Sequence, residues 1–305
     1  MKISAIIEKN FWMFLIAGLL AGIWQPVKID APAWIPKILL EMMLLLVFLK
    51  TDFVSIVSSL KKIKLMAFTA FLYMLAIPLL LYFSVLPFSA ELATGALLLT
   101  SMPSGASSPA LTDIAGGDVP LAMSIALVTQ TIAPFSIPLI LIIAGIEGVE
   151  INKLMVLKDV ALLMLIPAVL SVVAKKTVPA AIEKTKHFFT SINVFVLFAF
   201  VYIAISSQRE LIINDPLSLV WKVLFMYMIF IFLHAAGLFV FYSKNRKERI
   251  AFAVTSAYMN NGLAIVLAAS YFSPGILVLM VLSEIPWNTL PAPFKKLTEK
   301  LQHKK

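Results

Sequence analysis

The chain contains no cysteine. That excludes disulfides, thiolate metal sites and cysteine nucleophiles. Charge is scarce as well: 13% of the 305 residues are Asp, Glu, Lys or Arg, and three are histidine. Such a sequence offers no nucleophile with its base and no ligand cluster, so an intramembrane enzyme is not expected. The alternating polar and apolar residues of a transmembrane β-barrel are missing too, because the apolar runs are long and continuous. Nor does any polar stretch suffice for a soluble domain or a long linker.

What is present is apolar sequence, 61% of the residues, with a mean hydropathy of +0.98. A soluble fold of this length has no core large enough for that composition. The reading is an all-α polytopic membrane protein in a cell membrane, with the lipid bilayer as its partner. The net charge of +9 is assigned to cytoplasmic loops, and no nucleic-acid partner is expected. Met1 to Asn10 runs straight into an apolar segment without a small-residue cleavage site, so no cleavable signal peptide is expected.

A span needs about 20 apolar residues. Ten segments qualify: 10–25, 34–50, 64–84, 91–114, 118–145, 154–174, 188–206, 216–242, 248–272 and 274–292. With the N-terminus in the cytoplasm and ten alternating spans, the inside segments hold 19 of the 25 Lys and Arg residues. They include Lys61, Lys62 and Lys64, Lys175 and Lys176, Arg246 to Arg249, and five lysines after residue 294. The asymmetry obeys the positive-inside rule and places both termini inside. An odd number of spans would scramble it.

The sequence also repeats weakly. Leu15-Ile16-Ala17-Gly18-Leu19-Leu20 is similar to Leu165-Ile166-Pro167-Ala168-Val169-Leu170. Pro134 and Pro138 interrupt the fifth span as Pro286 and Pro291 interrupt the tenth. Residues 1–150 and 151–305 then form two five-span repeats within one transmembrane unit. Five spans is an odd number, so the second repeat is upside down relative to the first, the usual basis of alternating access.

Two polar breaks about 155 residues apart carry the functional reading: Met102-Pro103-Ser104-Gly105-Ala106-Ser107-Ser108-Pro109 and Ala257-Tyr258-Met259-Asn260-Asn261-Gly262. Irregular backbone at membrane depth survives only inside protein or along a wet cavity. Broken helices at matching positions of two halves point to a transporter's binding site. Pro103 and Gly105 end the helix, and Ser107 or Ser108 is expected to cap a new short one. Free N–H groups at such helix starts favour an anionic solute. Ser104, Ala106, Ser107, Asn260, Asn261 and Asn288 are the substrate-binding candidates. Ser108, Thr129, Gln130, Thr255 and Glu284 are the candidates for a coupling ion. Intramembrane ionisable residues are functional by default; Glu284 is the best of them, and His234 reads as a hydrogen-bonded packing residue.

These segments resemble the bile acid:sodium symporter family, within the superfamily that includes arsenite exporters and auxin-carrier-like proteins. Pro103 to Ser108 is similar to the family's Pro-Gly-Gly-Thr-x-Ser-Asn stretch, Met259-Asn260-Asn261-Gly262-Leu263-Ala264 to its Gln-Asn-Ser-Gly-Leu-Ala, and Pro286-Trp287-Asn288 to its Trp-His-Asn. The resemblance implies ten spans with two crossed discontinuous helices. It also implies a panel of spans 1, 2, 6 and 7 and a core of spans 3–5 and 8–10. It implies two sodium sites, and at those positions the chain departs. Ser108 is kept, but Pro109, Ala122, Ala126, Thr255, Met259 and Tyr73 stand where the family places polar or acidic ligands. Asn260 and Asn288 keep positions that the resemblance places near substrate.

The expected function is therefore alternating-access transport of small organic anions, bile-acid-like or carboxylate and sulfonate solutes, without the standard pair of sodium sites. No cofactor is expected beyond a coupling ion, Na+ or H+, with a proton passing through Glu284. The alternatives are a conventional sodium-coupled symporter using Ser108, Thr255 and Asn260, and a non-transporting receptor or scaffold. An arsenite exporter is disfavoured because it would be expected to use a membrane-embedded cysteine.

Overall fold

The computed structural model describes residues 11–24, 34–50, 63–105, 107–146, 153–207 and 209–300. The described parts of the ten apolar segments are helical apart from breaks and segment ends, and among the described residues the sole β pairing is an isolated antiparallel bridge between Ser104 and Met259. Helices α1 (Phe11–Trp24) and α2 (Trp34–Lys50) open the chain. The third segment comprises α3 (Ile63–Phe71), a π-helical turn (Leu72–Ala76) and α4 (Ile77–Val85). The fourth is split into α5 (Ala90–Thr100) and α6 (Ser108–Ile114), and α7 (Val119–Ala144) follows. Next come α8 (Lys153–Thr177), α9 (Pro179–Ser207), the short α10 (Arg209–Asn214) and α11 (Pro216–Val240). The ninth segment is split into α12 (Arg246–Ala257) and α13 (Asn261–Tyr271), and the tenth into α14 (Pro274–Leu282) and α15 (Glu284–Thr289). An amphipathic α16 (Pro291–Lys300) closes the described chain.

Among the described residues, five helical stretches are long and apolar enough to cross a membrane: Lys64–Val85, Val119–Ala144, Pro179–Ile203, Pro216–Val240 and Pro274–Lys300. Their outer faces carry large exposed apolar side chains, such as Phe83, Phe135, Phe195, Trp221 and Phe239. A water-soluble surface would not tolerate so many, whereas lipid tails solvate them.

Helix boundaries follow local chemistry. Asp118 caps α7 by accepting the Leu121 N–H at 3.0 Å, as its place before the fifth span suggests, and Gly145 ends that helix with φ at 59°. Ser89, Asp215 and Asn245 cap α5, α11 and α12 in the same way. Helix α9 starts nine residues earlier than the segment read from hydropathy, because 179–187 is polar yet helical, with a Glu183–Lys186 pair one turn apart.

The chain packs through small residues where helices cross. A Cβ on Gly22 of α1 would lie 2.9 Å from Ile205 of α9, and one on Gly237 of α11 would lie 2.4 Å from the Ala253 Cα of α12. Such close approach is how apolar helices associate without a hydrophobic driving force between them. Helices α1, α2, α8 and α9 pack on one another. The two split segments pack among α4, α7, α11 and α14. The deepest core lies there: Leu97, Ala122, Phe230, Phe252, Ala253 and Leu279 are essentially inaccessible.

Candidate functional site

Both breaks sit in the centre of that core and meet. Helix α5 ends at Thr100, and Pro103, lacking an N–H, leaves the helical path without orphaning a donor. The Gly105 N–H donates to the Tyr258 carbonyl at 2.8 Å, and the Asn260 N–H donates to the Pro103 carbonyl at 2.9 Å. The two interruptions thus satisfy each other as one rung of antiparallel sheet between four helix ends. That answers the requirement that no backbone group be left unpaired away from water.

Side chains complete the junction. The Ser104 hydroxyl donates to the Thr255 carbonyl at 2.7 Å. The Ser104 N–H reaches the Thr129 hydroxyl at 3.1 Å, and the Gln130 amide donates to the Ser104 carbonyl at 3.1 Å. Asn260 caps α13 by accepting the Leu263 N–H at 3.1 Å. The Trp287 indole donates to the Met259 carbonyl at 3.2 Å. Ser104, Thr129, Gln130 and Thr255 therefore form one cluster, with Ser108 fully buried nearby in the chain. The Ser108 hydroxyl and the Gln130 carbonyl oxygen are buried there without a protein partner.

A second cluster joins three other candidates. The Asn261 amide donates to the Ser283 hydroxyl at 2.9 Å, and the Asn288 amide donates to the Glu284 backbone carbonyl at 2.7 Å and carboxylate at 3.3 Å. Glu284 and Asn288 line a cavity of about 330 Å³ whose opposite wall is Ile16 and Leu19 of α1 and Val201 of α9. The cavity thus lies between the α1–α9 layer and the split-helix region.

Ser107 does not behave as expected. It precedes α6 with helical backbone angles and makes no side-chain cap, and its side chain is exposed; Ser108 is already inside the helix. Pro109 at the second helical position has no N–H, which reduces the need for a capping oxygen. Ala106 lies outside the described residues. His234 is a packing residue as read: Nδ1 pairs with the Phe230 carbonyl at 2.7 Å, and Phe294 and Tyr258 cover the ring.

Sequence reasoning missed Trp287, Ser283 and Tyr73 as junction residues. Tyr73 lies in the π-helical turn and donates its hydroxyl to the Phe252 carbonyl at 2.7 Å. A π turn needs one extra residue in the ladder, which hydropathy does not register, though such turns recur at functional sites.

Comparison with known proteins gives the family. The profile of the SBF-like CPA transporter family matches residues 9–287. The chain belongs to that family. The matched range contains the segments similar to bile acid:sodium symporters from Pro103 to Trp287 and stops one residue before Asn288. Over 189 residues the chain is 24% identical to YocS of Bacillus subtilis (strain 168), an uncharacterized sodium-dependent transporter. That alignment covers 61% of this chain and 57% of YocS. Membership of a transporter family, together with the apolar helices, makes this a membrane protein.

Proposed function

We propose that the protein is a secondary transporter of small organic anions that works by alternating access and lacks the paired sodium sites. The observation that carries the reading is the rung between Gly105 and Tyr258, which puts two helix breaks at one point of the core. Continuous helices suffice for a scaffold, whereas paired breaks put polar backbone and helix ends where a solute can reach them.

The ten-span architecture as two inverted repeats, 1–150 and 151–305, is part of this reading. The packing supports it by pairing equivalent elements. Helix α1 lies on α9 as α8 lies on α2; α4 lies on α5 as α11 lies on α12; α5 meets α14 as α12 meets α7. On this reading α1, α2, α8 and α9 form the panel and the other spans the core, with both termini in the cytoplasm. The solute occupies the 330 Å³ cavity between the two, against Asn288; Asn260 and Asn261 stand at the break that starts α13. Ser104 and Ser107 stand at the other break. Rocking of the panel against the core opens the cavity to either side in turn.

The sodium positions support an altered coupling. Ala122 and Ala126 are buried and bring no side-chain oxygen, and the Thr255 hydroxyl, which donates to the Ala251 carbonyl at 2.8 Å, offers one neutral oxygen in place of a carboxylate. The Tyr73 hydroxyl fills the space beside Phe252 with its own donor. Sodium needs several oxygen acceptors, and these side chains supply few.

A sodium-coupled symporter is the second reading. The name of YocS favours it, as does a void of about 10 Å³ bordered by Tyr73, Ser104, Thr255 and Ser256, roomy enough for one water-sized species. Thermal unfolding of purified protein against carboxylates, sulfonates and steroid acids, in sodium and in potassium salts, separates the two. A solute that stabilises equally in both salts supports the first reading, since ligands of the folded state raise its stability. Stabilisation only in sodium supports the second, and no stabilisation by any solute favours a scaffold.

A further inference from the structure

The cavity between α1, α9, α14 and α15 contains a carboxylate that the anion reading does not explain. Glu284 is 7% exposed and starts α15, and its neighbours across the cavity are the apolar Ile16, Leu19, Val201 and Val281. No Lys, Arg or His pairs with it among the described residues. Among those residues its carboxylate is met only by neutral amides: it accepts from Asn288 at 3.3 Å, and the Asn261 side chain is its other hydrogen-bonding neighbour. Asn261 faces the same corner, with its carbonyl oxygen buried and unpartnered.

We propose that Glu284 is a proton-carrying site, neutral while the cavity is closed to water and exchanging its proton with water when the cavity opens. The step is a simple transfer: a carboxylate oxygen takes a proton from hydronium in the open cavity, leaving water and a neutral carboxyl. An isolated buried carboxylate is far more costly than the neutral acid, since water and a counter-ion are both missing. The neutral acid is also an O–H donor, and the unpartnered Asn261 oxygen is an acceptor in the same corner. The titratable groups on neighbouring elements do not supply a countercharge. On α11, Tyr227 pairs with the Thr289 hydroxyl at 2.6 Å, His234 is turned to Phe230, and Lys222 pairs with Glu91. Helices α1, α9 and α14 face the cavity with apolar side chains, and α15 adds Ile285, Asn288 and Thr289 beside Glu284. On α16, Lys295 and Lys296 are exposed, and Lys295 pairs with Glu299. This inference rests on the carrier reading in one respect: a bound anion beside Glu284 is repelled by a carboxylate and accepted by a carboxyl, so solute and proton occupy the cavity together.

Infrared difference spectroscopy of the reconstituted protein, without any solute, tests it. The expected result is a carboxylic-acid C=O band that appears on acidification, shifts when the protein is labelled with 13C-glutamate, and is missing from Glu284→Gln. The isotope shift needs no variant, and Glu41→Gln, on α2 and outside the cavity lining, keeps the band and serves as the control. A band that Glu284→Gln leaves intact, or that 13C-glutamate does not move, overturns the proposal. Because no transport is measured, that outcome removes the proton site and leaves the carrier reading standing. Absence of uptake for every solute, with the band present, does the reverse.

Discussion

Gly105 and Tyr258 are 153 positions apart in the chain and joined by a 2.8 Å hydrogen bond from amide to carbonyl. Approach this close needs a residue without a side chain: a Cβ on Gly105 would lie 3.1 Å from the carbonyl oxygens of both Tyr258 and Met259. Those oxygens belong to backbone that is itself held by Asn260 and Trp287. Gly105→Ala is expected to destabilise the protein by about 1–3 kcal/mol, the usual cost of overpacking a core. Thermal unfolding in detergent measures it. A variant as stable as wild type would show that the two breaks are farther apart than described.

Tyr73 makes a second test of the junction. Its hydroxyl bond to Phe252 is one of the contacts that hold the π-helical turn on α12. Tyr73→Phe keeps the ring and removes the donor. The Phe252 carbonyl retains a contact from the Thr255 hydroxyl at 3.2 Å, so it is not orphaned. The expected loss is about 1 kcal/mol, typical of one hydrogen bond. Guanidinium or heat unfolding of the two proteins side by side checks it.

Gly237 has a harsher constraint. A Cβ there would sit 2.4 Å from Ala253 Cα and 2.5 Å from its backbone nitrogen. Neither is the end of a flexible side chain, so α11 and α12 would have to separate. Gly237→Ala is expected to cost more than Gly105→Ala, above about 3 kcal/mol, and to lower the yield of monodisperse protein in size-exclusion chromatography. Equal yield and stability would contradict the described α11–α12 crossing.

The amphipathic α16 ties together the far ends of both split segments. The Thr298 hydroxyl donates to the Ala115 carbonyl just after α6 at 3.0 Å, while Arg246 at the start of α12 donates to the Thr298 carbonyl. Thr298→Val keeps the shape and removes one link, with an expected loss of about 1 kcal/mol. Hydrogen exchange at residues 113–118 is expected to accelerate in that variant and stay unchanged in Leu297→Ala, whose side chain is half exposed.

Much of this was legible because membrane depth makes a few residues decisive. Pro103, Gly105 and Asn260 interrupt runs of apolar sequence, and the breaks appear where those residues stand. Asp118 announced its cap through its position before an apolar run. Other features depend on distant contacts and leave little trace in a single sequence. The π turn at Leu72–Ala76 has the same hydropathy as an ordinary turn. The depth of Thr129 and Gln130 makes them ion-coupling candidates, but their bonds to Ser104 at the first break follow from the fold alone. Ser107 was read as a cap from residue type, and only the backbone angle before α6 reveals that it is not one. The repeat relationship is faint in sequence because helix pairing constrains shape more than residue identity.

The convergence of the two breaks is open to direct measurement, and the absence of native cysteine makes it clean. Ser104 and Met259 form the bridge pair between the two bonded neighbours, so their side chains leave the rung on the same side. Pairs of this kind lie about 4.5 Å apart at Cα, within the reach of a disulfide. A Ser104→Cys, Met259→Cys protein is predicted to form an intramolecular disulfide in native membranes on mild oxidation, while each single variant leaves its thiol free. If both thiols of the folded double variant resist oxidation to a disulfide yet react with a maleimide after denaturation, the two interrupted helices do not cross and the carrier account fails.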